Sequence, residues 1–239
     1  MRLAGGGPVI PNFGQGSSCV TGDHVFCWGW VKAHWGDTLG PALVQHIELT
    51  LIAVAIGFAI AFPLALLAHR YHRLEQPFGT VAALLYTIPS LALFQLLVPF
   101  TGITRTTIEV ALVSYTLVIL FPNIMAGLRS VPADVIEAAQ GMGLTRRQVL
   151  WRIELPLAVP SIIAGLRIAV VSTVAIATIA ATLLRDGLGS PILDALQDPI
   201  PFKTEIYSAG LLAVALALAA DTVLVALRHV LVRWPRNAE

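Results

Sequence analysis

Two charged side chains stand where charge is hardest to accommodate. Arg167 lies midway along one apolar run and Asp221 lies deep in another. Each is about 11 residues from one end of its run, so at 1.5 Å per residue both reach a similar depth. An ionised group inside hydrocarbon needs a partner or water. The two side chains therefore either pair with each other or line a water-filled pathway. A packing salt bridge without any role toward a solute is the plainest form of that pairing.

The rest of the chain holds little that could catalyse a reaction. Its two lysines, Lys32 and Lys203, do not follow a glycine, so no phosphate-cradling G-x-x-x-x-G-K-[ST] loop exists. No H-E-x-x-H pair of zinc ligands occurs, and His69 and His72 read as a polar helix end rather than a metal site. Ser161 and Ser172 have no histidine near them in the apolar runs. Glu48 and Glu109 stand close to the ends of two such runs, where carboxylates are expected to reach water. We expect no catalysis and no metal site. A net charge of +1 with no dense basic tract gives no footprint for nucleic acid.

What must position these residues is a set of membrane helices. Of 239 residues, 56% are hydrophobic and 12% charged, and the mean hydropathy is +0.79. Apolar runs at about 45–68, 77–99, 107–128, 156–184 and 206–232 are each long enough to cross hydrocarbon. Helix is the form expected, because every backbone polar group must be satisfied within the segment. The expectation is all-α: a polytopic membrane protein with five transmembrane helices. Residues 1–44 form an external segment in which Trp28, Trp30 and Trp35 mark a membrane–water boundary. The membrane domain covers 45–232, and 233–239 is a tail. The first 20 residues lack the apolar core of a secretory signal.

One stretch breaks the apolar pattern, Arg129 to Pro156. Val131-Pro132 stops the preceding helix, because a residue before proline is pushed out of the helical region. Asp134 then favours the start of a short helix, and Gly143 supplies the left-handed residue that ends it. Thr145 and Gln148 form a capping box that opens a second short helix, with Pro156 closing the unit and starting a long apolar run. A polar helix–glycine–helix elbow between two spans reads as a docking surface.

Glu137-Ala138-Ala139, Gly143 and Ile153-Glu154-Leu155-Pro156 resemble, at the same spacings, the EAA loop of ATP-binding-cassette importer permeases. The resemblance implies that the elbow is a cytoplasmic coupling loop on a type I importer fold. Glu137, Ala138, Ala139, Gly143, Leu144 and Arg147 would seat it in a cleft of a separate ATPase. That partner, present in two copies, would hold ATP and Mg, which leaves no cofactor on this chain. A second permease subunit, identical or related, and an external substrate-binding protein complete the implied assembly, embedded in membrane lipid. The implied location is the cytoplasmic membrane of a prokaryote.

Tyr86-Thr87-Ile88-Pro89-Ser90-Leu91-Ala92-Leu93 is similar to the permeases for osmoprotectants such as glycine betaine, choline and carnitine, as is PSIIAGLRIA followed by Gly187-Leu188-Gly189. Tyr86 stands where that family commonly has glutamine, and Leu184-Arg185-Asp186 replaces a glycine-rich sequence. Pro89 is expected to kink its span. Tyr86, Thr87, Pro89, Ser90, Tyr115, Asn123, Arg167 and Asp221 are the candidate pathway residues. Other small solutes, an amino acid or a thiol-histidine betaine, are alternatives. An ion-gradient carrier would call for an internal inverted repeat, and none is evident.

Basic residues orient the chain. With the elbow inside, nine arginines lie in the cytoplasm (at 70, 73, 129, 146, 147, 152, 228, 233 and 236) against five basic residues outside. The N-terminus is then external and the C-terminus cytoplasmic. Cys19 and Cys27 would lie where a disulfide can form, worth about 2.5–3 kcal/mol if closed; two unpaired thiols are the alternative.

Overall fold

The computed structural model describes residues 25–198 and 201–232. Residues 1–24 and the 233–239 tail lie outside the described residues, and with Cys19 so does the choice between a bridge to Cys27 and two unpaired thiols.

The described residues start with a short helix, α1 (Trp28–Ala33), and a π-helical turn (Trp35–Leu39) that runs into α2 (Gly40–Arg70). The helix that carries the first span thus begins upstream of Gln45, since nothing in Trp35–Leu39 stops a helix and Pro41 sits in the first turn of α2. Trp30 and Val31 are buried with Leu39 and Ala209, so α1 lies against the protein as well as the boundary.

The second expected span is two helices. They are α3 (His72–Thr87) and α4 (Ser90–Thr101), bent by 101° at Ile88-Pro89. The expected kink is a right-angle break. It follows from Ile88 being extended (φ −78°, ψ 121°), as a residue before proline prefers, while Pro89 caps α4.

Next come α5 (Arg105–Arg129), α6 (Ala133–Gly141), α7 (Arg146–Val149), a π-helical turn (Leu150–Glu154) and α8 (Leu155–Ala180). Pro156 starts the long apolar run, as expected, but does not close the elbow. It occupies the first turn of α8, where its missing N–H is harmless, and Arg146–Ala180 is one continuous rod. After a loop come α9 (Gly189–Gln197) and α10 (Lys203–Leu231).

Contacts at the helix ends define two faces. On one, Arg105 at the start of α5 pairs with Glu48 at 2.9 Å and with Asp186 at 3.4 Å. On the other, Arg129 at the end of α5 pairs with Glu75 near the start of α3, and His69 at the end of α2 meets Glu154 at 3.1 Å. The broken pair begins on that second face. It ends on the first, where Thr101 Oγ1 lies 2.7 Å from Thr107 Oγ1. The broken pair thus joins the two faces; among the described residues α2, α5, α8 and α10 are each long and apolar enough to cross a membrane, and α3 with α4 makes a fifth span.

The core lies where α2, α5 and α8 meet. Ala61, Ala65 and Ala68 face Leu120, Ile124 and Leu128 toward the second face, and Leu49, Ala53 and Leu112 do so toward the first. Small residues let the backbones approach, since lipid offers helices no hydrophobic drive to associate and packing must supply it. A Cβ on Gly165 would lie 2.4 Å from Asn123 Cβ, and one on Gly57 would lie 2.5 Å from Thr116 Cγ2.

Candidate functional site

The elbow folds as its residues dictate. Asp134 stands in the first turn of α6, where the helix dipole favours a carboxylate. Gly143 has φ +85°, a conformation that costs other residues about 1–2 kcal/mol. The amides of Gly143 and Leu144 return to the carbonyls of Gln140 and Ala139 at 2.9 and 3.2 Å, which satisfies the end of α6. The Thr145 amide then reaches Gln148 Oε1 at 2.8 Å, and the Gln148 amide reaches Thr145 Oγ1 at 3.4 Å, the expected capping box.

The outward surface of the elbow is narrower than the motif suggests. Glu137, Ala138, Gly143 and Arg147 are exposed, with Leu144 partly so. Ala139 is only 1% exposed and packs into the chain itself. Of the two alanines expected to face a partner, one holds the elbow together from within.

At the break in the second span, the Ile88 carbonyl lies outside any helix. The Tyr115 hydroxyl, from α5, donates to it. Tyr115 is 7% exposed, so it fixes the bend and does not face open space. The Thr87 hydroxyl donates to the Leu84 carbonyl at 2.7 Å, and Ser90 opens α4. Tyr86, beside them, is 69% exposed.

Arg167 and Asp221 form a bidentate pair, Nε to Oδ1 at 2.6 Å and Nη2 to Oδ2 at 2.8 Å. Such fork-to-fork geometry is the strong form of an ion pair. It ties α8 to α10, and both side chains remain partly exposed. Asn123 donates to the Ile119 carbonyl at 2.7 Å on its own helix, and its Cβ is where Gly165 of α8 comes close. Asn123 therefore belongs to the α5–α8 seam. No hydrogen bond or ion pair among the described residues joins the Tyr86–Tyr115 group to the Arg167–Asp221 pair.

Reading the sequence missed the polar cluster on the first face. Gln45 and His46 of α2 accept the backbone amides of Gly187 and Leu188 at 3.2 and 3.1 Å. Glu48 is exposed as expected and paired with Arg105. Glu109 does not reach water; both carboxylate oxygens are buried with no hydrogen-bond partner among the described residues. Asp186, 7% exposed, is drawn in by Arg105. A histidine and a glutamate inside apolar runs were the available signals.

Five helical crossings, a protruding elbow between the third and fourth, and buried polar pairs between spans define a polytopic membrane protein of the permease type. A family model described as the binding-protein-dependent transport system inner membrane component matches residues 43–237, and the chain belongs to that family. It is similar to the carnitine transport permease protein OpuCB of Listeria monocytogenes, 34% identical over 153 residues that cover 64% of this chain and 70% of the relative. The choline transport system permease protein OpuBB of Bacillus subtilis is 31% identical over 181 residues, covering 75% of this chain and 82% of the relative. Among solved structures, a chain of the MetNI methionine ABC transporter in an inward-facing form superimposes with a TM-score of 0.73. That match covers 81% of this chain and 95% of the other; at 18% identity it speaks to fold alone. The chain is thus a membrane permease subunit of an ABC importer that works with an ATPase and a binding protein.

Proposed function

We propose that this chain forms the translocation pathway for a small quaternary-amine osmoprotectant, such as carnitine or choline, in a cytoplasmic membrane. The elbow face is cytoplasmic. Among the described residues, seven arginines (70, 73, 129, 146, 147, 152 and 228) gather there, against Lys32, Arg105, Arg185 and Lys203 on the opposite face. Two ATPase subunits carrying ATP and Mg grip the elbows of two permease subunits, identical or related, and a receptor delivers solute from outside. The N-terminus is then external and the C-terminus cytoplasmic.

The observation that carries this reading is the elbow: an exposed Glu137-Ala138 edge held rigid by two backbone stops and continuous with α8 through the Arg146–Ala180 rod. Force applied to the elbow is transmitted along α8, and from α8 to α10 through Arg167–Asp221. A quaternary ammonium cannot shed its charge by deprotonation, so aromatic faces are its natural contacts. Tyr86, exposed beside the break, is the candidate contact on this chain.

The test is uptake of labelled carnitine and choline into proteoliposomes holding the permease, its ATPase and its receptor. ATP-dependent uptake that disappears when the ATPase is omitted supports the reading. Uptake without ATP, driven by an ion gradient, would overturn it.

A further inference from the structure

A cavity of about 640 Å³ lies between the last turn of α2 and the rod that leads from the elbow into α8. Three arginines line it, Arg70, Arg146 and Arg147. None of them forms an ion pair among the described residues. The lining holds one carboxylate, Glu154, and His69 already occupies it at 3.1 Å. Like charges facing one cavity repel unless an anion neutralises them.

Leu66, Val149 and Leu150 give the cavity an apolar side, and Trp151, 53% exposed, stands in its wall. Tryptophan favours the level where hydrocarbon meets headgroups. The Leu150–Glu154 stretch is a π-helical turn, a form that recurs at functional positions because the extra residue re-aims side chains. Planar guanidinium forks match phosphate oxygens, and basic pockets between helices at a membrane boundary suit phospholipid headgroups.

We propose that this cavity is a binding site for a phosphate-bearing anion, placed so that the bound group ties the end of α2 to the base of the elbow. The chemistry is shared by two sources, an anionic lipid headgroup and a soluble phosphate. The site shares Arg147 with the residues expected to face the ATPase, but it is independent of the solute carried, and the varied Arg70 and Arg146 are not among those residues, so its test stands apart from transport.

The full chain is placed in nanodiscs of phosphatidylcholine alone or of phosphatidylcholine with phosphatidylglycerol, and its thermal denaturation is followed. Inorganic phosphate is titrated into the phosphatidylcholine discs as a separate arm. The expected result is a higher midpoint with phosphatidylglycerol that is abolished in Arg70→Gln/Arg146→Gln and kept in Arg73→Gln, whose side chain lies outside the cavity. Lipid retention by native mass spectrometry should fall roughly 30-fold in the double variant, about 1 kcal/mol for each arginine lost. A rise given by inorganic phosphate and lost in the same variant supports the site with a soluble source. Arg146→Gln alone, at an exposed position, carries the test if the double variant does not fold. The proposal is overturned by no rise with either probe, by a rise unchanged in the cavity variants, or by one lost equally in Arg73→Gln. A rise produced only by adding the ATPase also overturns it, since the cavity would then belong to the protein partner.

Discussion

The imidazole of His46 accepts the backbone amide of Leu188 through Nδ1 at 3.1 Å, and its Nε2 lies 3.1 Å from the Val174 carbonyl. An N–H aimed at one nitrogen and a carbonyl at the other leave a single arrangement, a neutral ring with its proton on Nε2. A residue fully buried in the first span therefore fastens the loop that follows the fourth. Val174 O also accepts from Thr178 at 3.0 Å, so the Leu188 amide is the group that depends on His46.

His46→Ala is expected to lower stability by about 1–3 kcal/mol, the cost of a buried amide left without an acceptor. Gly187→Ala should cost at least about 1–2 kcal/mol from its left-handed backbone. Its φ is +70°, and a Cβ there would stand 2.8 Å from His46 Nδ1. Thermal denaturation of both variants and of the double variant checks this. Because both changes release the same loop, the double effect should be clearly less than the sum of the singles.

Tyr115→Phe removes only the hydroxyl that satisfies the Ile88 carbonyl at the break. The expected loss is about 1–3 kcal/mol, the cost of leaving a part-buried carbonyl without its donor. Uptake should fall with it, whereas Tyr86→Phe, at a 69% exposed position, should leave the melting point unchanged. Equal melting of wild type and Tyr115→Phe would show that the bend holds without this contact.

Arg167→Ala and Asp221→Ala should each reduce the amount of folded protein in the membrane, since each leaves the other charge alone among apolar helices. Arg167→Ala/Asp221→Ala should recover much of that loss, and the exchanged pair Arg167→Asp/Asp221→Arg part of it. Membrane yield and size-exclusion profile are the readouts. If the pair also transmits movement from α8 to α10, the double alanine variant will fold yet transport poorly.

The elbow separates docking from folding. Glu137→Ala, on the exposed edge, should weaken association with the ATPase and leave the melting point of the chain unaltered. Ala139→Asp places a charge at a position 1% exposed and should destabilise the elbow itself. Limited proteolysis between residues 129 and 156 distinguishes the two, with rapid cleavage expected of Ala139→Asp alone.

How far the sequence reaches can be judged from single residues. Gly143 and the Thr145–Gln148 box set the turns of the elbow through interactions within a few residues, and they were legible. Pro89 announced a kink, yet neither its angle of 101° nor the Tyr115 hydroxyl of another helix that donates to the Ile88 carbonyl there was legible. Pro156 read as both the close of the elbow and the start of the apolar run; the start holds, in the first turn of α8, but the helix runs through from Arg146 without a break. Glu109 read as solvated from its distance to the helix end, whereas its neighbours bury it.

Composition and periodicity alone determined the five crossings, the helical form and the elbow. Hydrocarbon thickness fixes the length of a span, and the absence of water obliges each span to satisfy its own backbone. Only the tertiary structure decided which polar groups meet: Arg167 with Asp221, His46 with Leu188, and three arginines around one cavity. Those meetings depend on how helices far apart in the chain rotate and approach, and close packing of whole surfaces sets that geometry.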